Sequence, residues 1–95
     1  MADEVPVKVG PVLEATPRGR AVALAIREVN PGVELQDRGA YLRVLVTRRC
    51  HVTRAGIERV LGEAFVLPRD LEALMPSFKG ILTISSDAVE WVSQR

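Results

Sequence analysis

Aromatic residues are scarce in this chain: Tyr41, Phe65, Phe78 and Trp91 are the only four among 95 residues, so the core has to rest on Val, Leu, Ile and Ala. There is one cysteine, Cys50, which excludes an intramolecular disulfide and fits a reducing compartment. The one histidine, His51, is its neighbour. A metal site needs several ligands that converge, and adjacent residues on a strand point to opposite faces. The pair is therefore placed neither to share an ion nor to act as nucleophile and base, and Cys50 reads as a buried structural thiol. A glycine-rich phosphate loop and a cofactor fingerprint are both missing. The carboxylates are scattered and mostly adjacent to arginines, so no isolated pair suggests acid–base chemistry. No apolar run approaches the roughly 18–20 residues that cross a bilayer. The acidic start, Met1 to Pro6, lacks the apolar core of a signal peptide. The expectation is a cytoplasmic, non-catalytic chain.

What is present reads as a small α+β domain. With 47% apolar and 26% charged residues the composition is that of a folded chain, and the length suits one modest core. Residues 1–6 read as a short flexible tail and residues 7–95 as a single domain. Val7 to Leu13 alternates weakly, and Pro11 predicts an edge strand or a bulge because it has no N–H to donate. Thr16-Pro17 opens a helix as cap and first residue, with Val22, Ala25, Ile26 and Val29 as its apolar stripe. Asn30-Pro31-Gly32 stops it. Val33–Asp37 and Tyr41–Val46 alternate as paired strands. Thr53 caps the clearest helix, whose stripe is Ile57, Val60 and Leu61 and whose stop is Gly62. Phe65 and Leu67 anchor the chain beyond it. Pro68 opens a second short helix through Leu71 and Leu74, which ends at Pro76. Ser77 to Gly80 leads as a loop into the strand Ile81–Ile84. Ser85-Ser86-Asp87 turns it, and Ala88–Val92 pairs back. The order is β-α-β-β followed by β-α-α-β-β.

The formal charge of +1 gives no general attraction to nucleic acid or membrane. Arginine outnumbers lysine by 11 to 2, from compositional bias or from pairing with carboxylates at an interface. Arg43, Arg48, Arg49, Arg54 and Arg59 make the one local imbalance, offset within it only by Glu58. Three readings stay open for this cluster: a solvated strand edge that discourages aggregation, a surface for an acidic partner, or a ligand- or nucleic-acid-binding module.

Read together, certain segments resemble the MmoB/DmpM family, the small regulatory or coupling proteins of bacterial multicomponent diiron monooxygenases. They are Val9-Gly10-Pro11-Val12, Val29-Asn30-Pro31-Gly32-Val33-Glu34 and Ala40-Tyr41-Leu42-Arg43-Val44. Val52-Thr53-Arg54 with Ile57-Glu58, Leu61-Gly62, Phe65 and Leu67 follow, and Ser77-Phe78-Lys79-Gly80 is similar to the family's Ser-Phe-Ala-Gly turn. Glu63 replaces an arginine common in the family, and the asparagine before the Ser-Phe turn is absent. The short tail points to the aromatic or alkene branches. The resemblance implies a cofactorless protein that docks on the hydroxylase component, where the diiron centre resides. There it tunes the active site, oxygen activation and the coupling of electron transfer to hydroxylation or epoxidation. It implies no membrane or nucleic-acid partner. By the same resemblance Ser77, Phe78 and Gly80 lie in a partner-facing loop, with Met75 and Lys79 added by adjacency. Tyr41 and Arg43 present the polar side of their strand. Phe78 stands equally as a core residue and Gly80 as a backbone requirement.

Overall fold

The computed structural model describes residues 7–94, so the expected tail at residues 1–6 lies outside the described residues. In chain order the elements are β1 (Lys8–Glu14), α1 (Pro17–Val29), β2 (Glu34–Asp37), β3 (Tyr41–Thr47) and β4 (Arg49–Thr53). Then come α2 (Arg54–Leu61), α3 (Arg69–Glu72), β5 (Ser77–Lys79), β6 (Ile81–Ile84) and β7 (Ala88–Val92). Two antiparallel sheets form, β2-β3-β1-β5 and β4-β7-β6. This is the expected α+β class with one more strand.

Both long helices begin as their caps dictate. The Thr16 hydroxyl accepts from Gly19 N at 3.1 Å, and that of Thr53 accepts from Gly56 N at 3.0 Å, each satisfying an N–H with no intrahelical partner. Gly62 closes α2 with φ 80°, its N–H donating to the Glu58 carbonyl. In α1 the buried face is Gly19, Ala21, Val22, Ala23, Ala25 and Ile26. Val29, expected in that stripe, is 43% exposed. Asn30 takes the buried place in the last turn: its Nδ2 donates to the carbonyls of Ile26 and His51, both at 2.7 Å, and its Oδ1 accepts from His51 N at 3.1 Å. The helix stop thus also fastens α1 to β4.

Helix α1 packs against β1, β3, β4 and α2, and one apolar cluster joins the inner faces of both sheets. Val9, Leu13, Val22, Ile26, Val44, Ile57, Phe65 and Trp91 are all fully buried in it. The indole Nε1 of Trp91 finds no acceptor among the described residues. Two carboxylates hold the segment that delivers Phe65 and Leu67. Glu58 accepts from Phe65 N at 2.9 Å, and Asp70 accepts from Val66 N at 2.7 Å. Arg18 bonds Asp70 and lies 5.2 Å from the centre of the Phe65 ring, within cation–π range.

Two expectations need correction. β1 is an interior strand, flanked by β3 and β5, and carries no bulge. Its register with β3 is the same on either side of Gly10-Pro11, with Val9 opposite Val46 and Val12 opposite Arg43. Pro11 is tolerated because the β3 ladder lapses at these two residues, where Gly10 has φ 146°. Ser77–Lys79, read as loop, is the strand β5, paired with Gly10–Val12. Three residues carry too little alternation to signal a strand, and the hydrogen bonds come from a segment far away in sequence.

The chain returns from β4 to β5 through α2 and α3, and its two direct crossings between the sheets are made at left-handed residues. Arg48, φ 68°, stands between β3 and β4, and Gly80, φ 111°, between β5 and β6. Arg48 N donates to Val7 O, and Arg48 O accepts from Ser93 N.

A Cβ on Gly10 would stand 2.1 Å from the Val44 carbonyl oxygen, so Gly10→Ala is expected to cost about 3 kcal/mol or more, read as a lower urea midpoint. Phe65 N–H, and then Arg54, hold the Glu58 carboxyl below its ordinary value of 4.5. The folded state therefore binds that proton less readily than the unfolded chain. Its stabilising contribution is fully present above about pH 4.5 and is lost as pH falls through the depressed value. Glu58→Gln should lower thermal stability at neutral pH, with the gap to the parent protein narrowing on acidification.

Candidate functional site

Helices cover the inner face of the four-stranded sheet, and the outer face is left open. Alternation assigns residues to it: Leu42, Val44 and Val46 of β3 are buried, while Tyr41 is exposed and Arg43 and Leu45 are half-buried. The pairings place Gln36 beside Arg43, Arg43 beside Val12 and Val12 beside Ser77, one line of side chains across four strands. Tyr41, 46% exposed, stands opposite Glu14 at one end of this face, and Lys79 stands opposite Gly10. Lys8 on β1 reaches over β3 to Glu34 on β2, Nζ to Oε1 at 2.8 Å. That bond, a second from Gln36 and the field of Arg43 hold the Glu34 carboxyl below the usual carboxylate range.

The sequence-predicted site residues divide. Tyr41, Arg43, Ser77 and Lys79 come together on the open face, although 36 residues separate Arg43 from Lys79. Phe78 does not join them: it stands opposite Pro11 on the other side of β5, at the sheet edge, 43% exposed. Met75 is half-buried against the core. Gly80 is a backbone junction, where a Cβ would lie 2.9 Å from Val92 O and 3.0 Å from Val9 Cβ. Sequence reasoning passed over Val12, Gln36 and the Lys8–Glu34 bridge. The weak alternation of β1 was the available signal, obscured by Gly10 and Pro11.

The arginine cluster disperses. Arg43 belongs to the open face of the first sheet. Arg49 is on β4 in the second sheet, paired with Glu90 across to β7. Arg54 pairs with Glu58 at 3.1 Å and Asp87 at 3.7 Å. Arg48 and Arg59 make no ion pair among the described residues. A continuous basic surface is not assembled from these five.

Cys50 is fully buried on β4, and His51 beside it is half-buried on the opposite face. Burial pushes the thiol up to about 12, with Arg49 pulling weakly the other way. No three His, Cys, Asp or Glu converge to hold a metal among the described residues. The candidate site is a surface: an exposed polar sheet face with two cations, Arg43 and Lys79, that have no ion-pair partner among the described residues.

The sequence profile of the MmoB/DmpM family matches residues 7–92. The chain belongs to that family. An alkene monooxygenase system effector subunit of Xanthobacter autotrophicus (strain ATCC BAA-1158 / Py2) is 44% identical over 85 residues, which are 87% of this chain and 83% of that relative. Among solved structures, a chain of a phenol hydroxylase–regulatory protein complex superposes with a TM-score of 0.81 at 23% identity, covering 90% of this chain and 98% of that one. A chain from another structure of such a complex gives a TM-score of 0.75 at 26% identity, covering 90% of this chain and 100% of that one. The soluble methane monooxygenase regulatory protein B gives 0.68 at 23% identity, covering 99% of this chain and 74% of that one. At such identities the fold is what is shared.

A thiol titrating near 12 holds almost no thiolate at neutral pH. Native protein at pH 7.5 is expected to react with a thiol-specific reagent at under about a hundredth of the rate seen in guanidinium, measured by mass spectrometry of the adduct.

Proposed function

We propose that this chain is the regulatory, or coupling, component of a soluble diiron monooxygenase of the alkene or aromatic type. One observation carries the reading: family membership over residues 7–92, with 44% identity to an alkene monooxygenase effector subunit. The partner is the hydroxylase component, which holds the diiron centre, and this chain contributes no cofactor of its own. No helix among the described residues is long and apolar enough to cross a membrane, and a cytoplasmic place beside the hydroxylase is part of the proposal.

A protein without a reaction centre changes a rate only through the conformations of the one that has it. It does so by binding one hydroxylase conformation more tightly than another, and the difference in binding free energy sets the shift in population. A coupling of about 1–3 kcal/mol is typical of such linkage. The open face of the first sheet supports this role. It is held by a four-stranded ladder, and it offers Tyr41, Arg43, Ser77 and Lys79 to a partner, with Phe78 exposed on the other side of β5. Met75 and Gly80 shape the segment that carries β5. Arg43 and Lys79 suit carboxylates on the hydroxylase.

The test is product formation by alkene and aromatic hydroxylases with their electron-transfer proteins, with and without this chain. Stimulation that saturates near one chain per active site is expected. Arg43→Glu should stay folded by circular dichroism yet need about tenfold more protein for half-maximal stimulation, about 1.4 kcal/mol of binding. Wild-type behaviour of a folded Arg43→Glu would remove this residue from the interface.

A further inference from the structure

β5 stops at Lys79, but β1 beside it begins two residues beyond the last pair, Gly10 with Lys79. Gly80 then carries the chain away into the second sheet. The mismatch leaves a notch of about 280 Å³ at the seam, lined by Val7, Val9, Lys79, Gly80, Ser93 and Gln94. Its walls are mainly apolar: Val9 is fully buried and Val7 is 40% exposed. Ile81, the next residue along, is 46% exposed. Lys79 is the one charged side chain in the lining, and it makes no ion pair among the described residues.

Interfaces draw most of their binding energy from a few anchors in desolvated apolar pockets, ringed by polar contacts that exclude water. The open sheet face supplies the polar part. The notch borders it and shares Lys79 with it. We propose that the notch is the anchor pocket of the docking surface and receives one apolar side chain of the hydroxylase, with a neighbouring carboxylate meeting Lys79 Nζ. This rests on the reading of the chain as a hydroxylase regulator. The charge argument selects the occupant: a lysine without an ion pair in the lining of an apolar recess favours a segment that combines an apolar side chain with an acid. The same geometry makes Lys79 a specificity residue, because it disfavours a cation beside the anchor.

The full-length protein tests this in two ways. Val7→Asp places a carboxylate in the apolar wall at a partly exposed position, and should raise the concentration for half-maximal stimulation at least tenfold. Leu24→Asp, on the exposed side of α1, should leave it unchanged. Independently, p-benzoylphenylalanine in place of Gln94 should cross-link to the hydroxylase on irradiation. Cross-links confined to the chain itself would assign the notch to the chain's own residues, and cross-links only between two copies would assign it to self-association; either overturns the proposal. If wild-type protein stimulates and Arg43→Glu weakens, yet Val7→Asp behaves as wild type and Gln94 captures no hydroxylase, the notch is not the anchor and the regulator reading stands. If wild-type protein stimulates no hydroxylase, both fail together.

Discussion

The passage of the chain between two sheets that share one core is the constraint on which the rest depends. Its two direct crossings are made at Arg48 and at Gly80, both with φ in the left-handed range. For arginine that conformation costs about 1–2 kcal/mol, and it persists because the backbone is tied on both sides, to Val7 O and from Ser93 N. Gly80 is closed in by Val92 O and Val9, so no side chain fits there. With both crossings set, the apolar faces of the sheets meet α1, α2 and each other. The outer face of the first sheet is left to solvent, and the notch opens where β5 departs.

The absence of chemistry and the presence of a rigid face are two consequences of the same construction. Several carboxylates are engaged in structural bonds. Glu58 and Asp70 hold the backbone at Phe65 and Val66, Glu90 and Asp87 answer arginines, and Glu34 holds Lys8. The thiol is buried and protonated. What remains for a partner is shape, a row of strand side chains and two cations, Arg43 and Lys79, that make no ion pair among the described residues. A regulator of another protein's active site needs no more than a surface that fits one of that protein's conformations better than another.

Local features were legible in the residues. Thr16 and Thr53 as caps, Gly62 as a stop, the alternation of β3 and the inward Phe65 and Leu67 each follow from interactions within a few positions. Asn30 was read as a stop, which it is, but its bonds to His51 were invisible because they join residues 21 positions apart. Pro11 was read as marking an edge or a bulge, because it has no N–H to donate to a flanking strand. The fold places β1 inside the sheet and lets one ladder lapse there. Of the expected interface, Tyr41, Arg43, Ser77 and Lys79 share a face, whereas Phe78, one residue from two of them, points away, as strand geometry requires once Ser77–Lys79 is a strand.

By itself the sequence determined the two long helices and their ends, the strands long enough to alternate, most of the apolar set that fills the core and the lack of a catalytic inventory. Each of these is decided by contacts within a turn or by residue type alone. The third helix, expected to run to Pro76, spans only Arg69–Glu72. Only the tertiary structure decided which strands pair, that Ser77–Lys79 is one of them, which arginines find carboxylates, and that Arg43 and Lys79 look out from the same surface. Those outcomes depend on bringing distant segments together around one core, and the energy that does so, apolar burial, is non-directional and leaves no local mark on the residues it aligns.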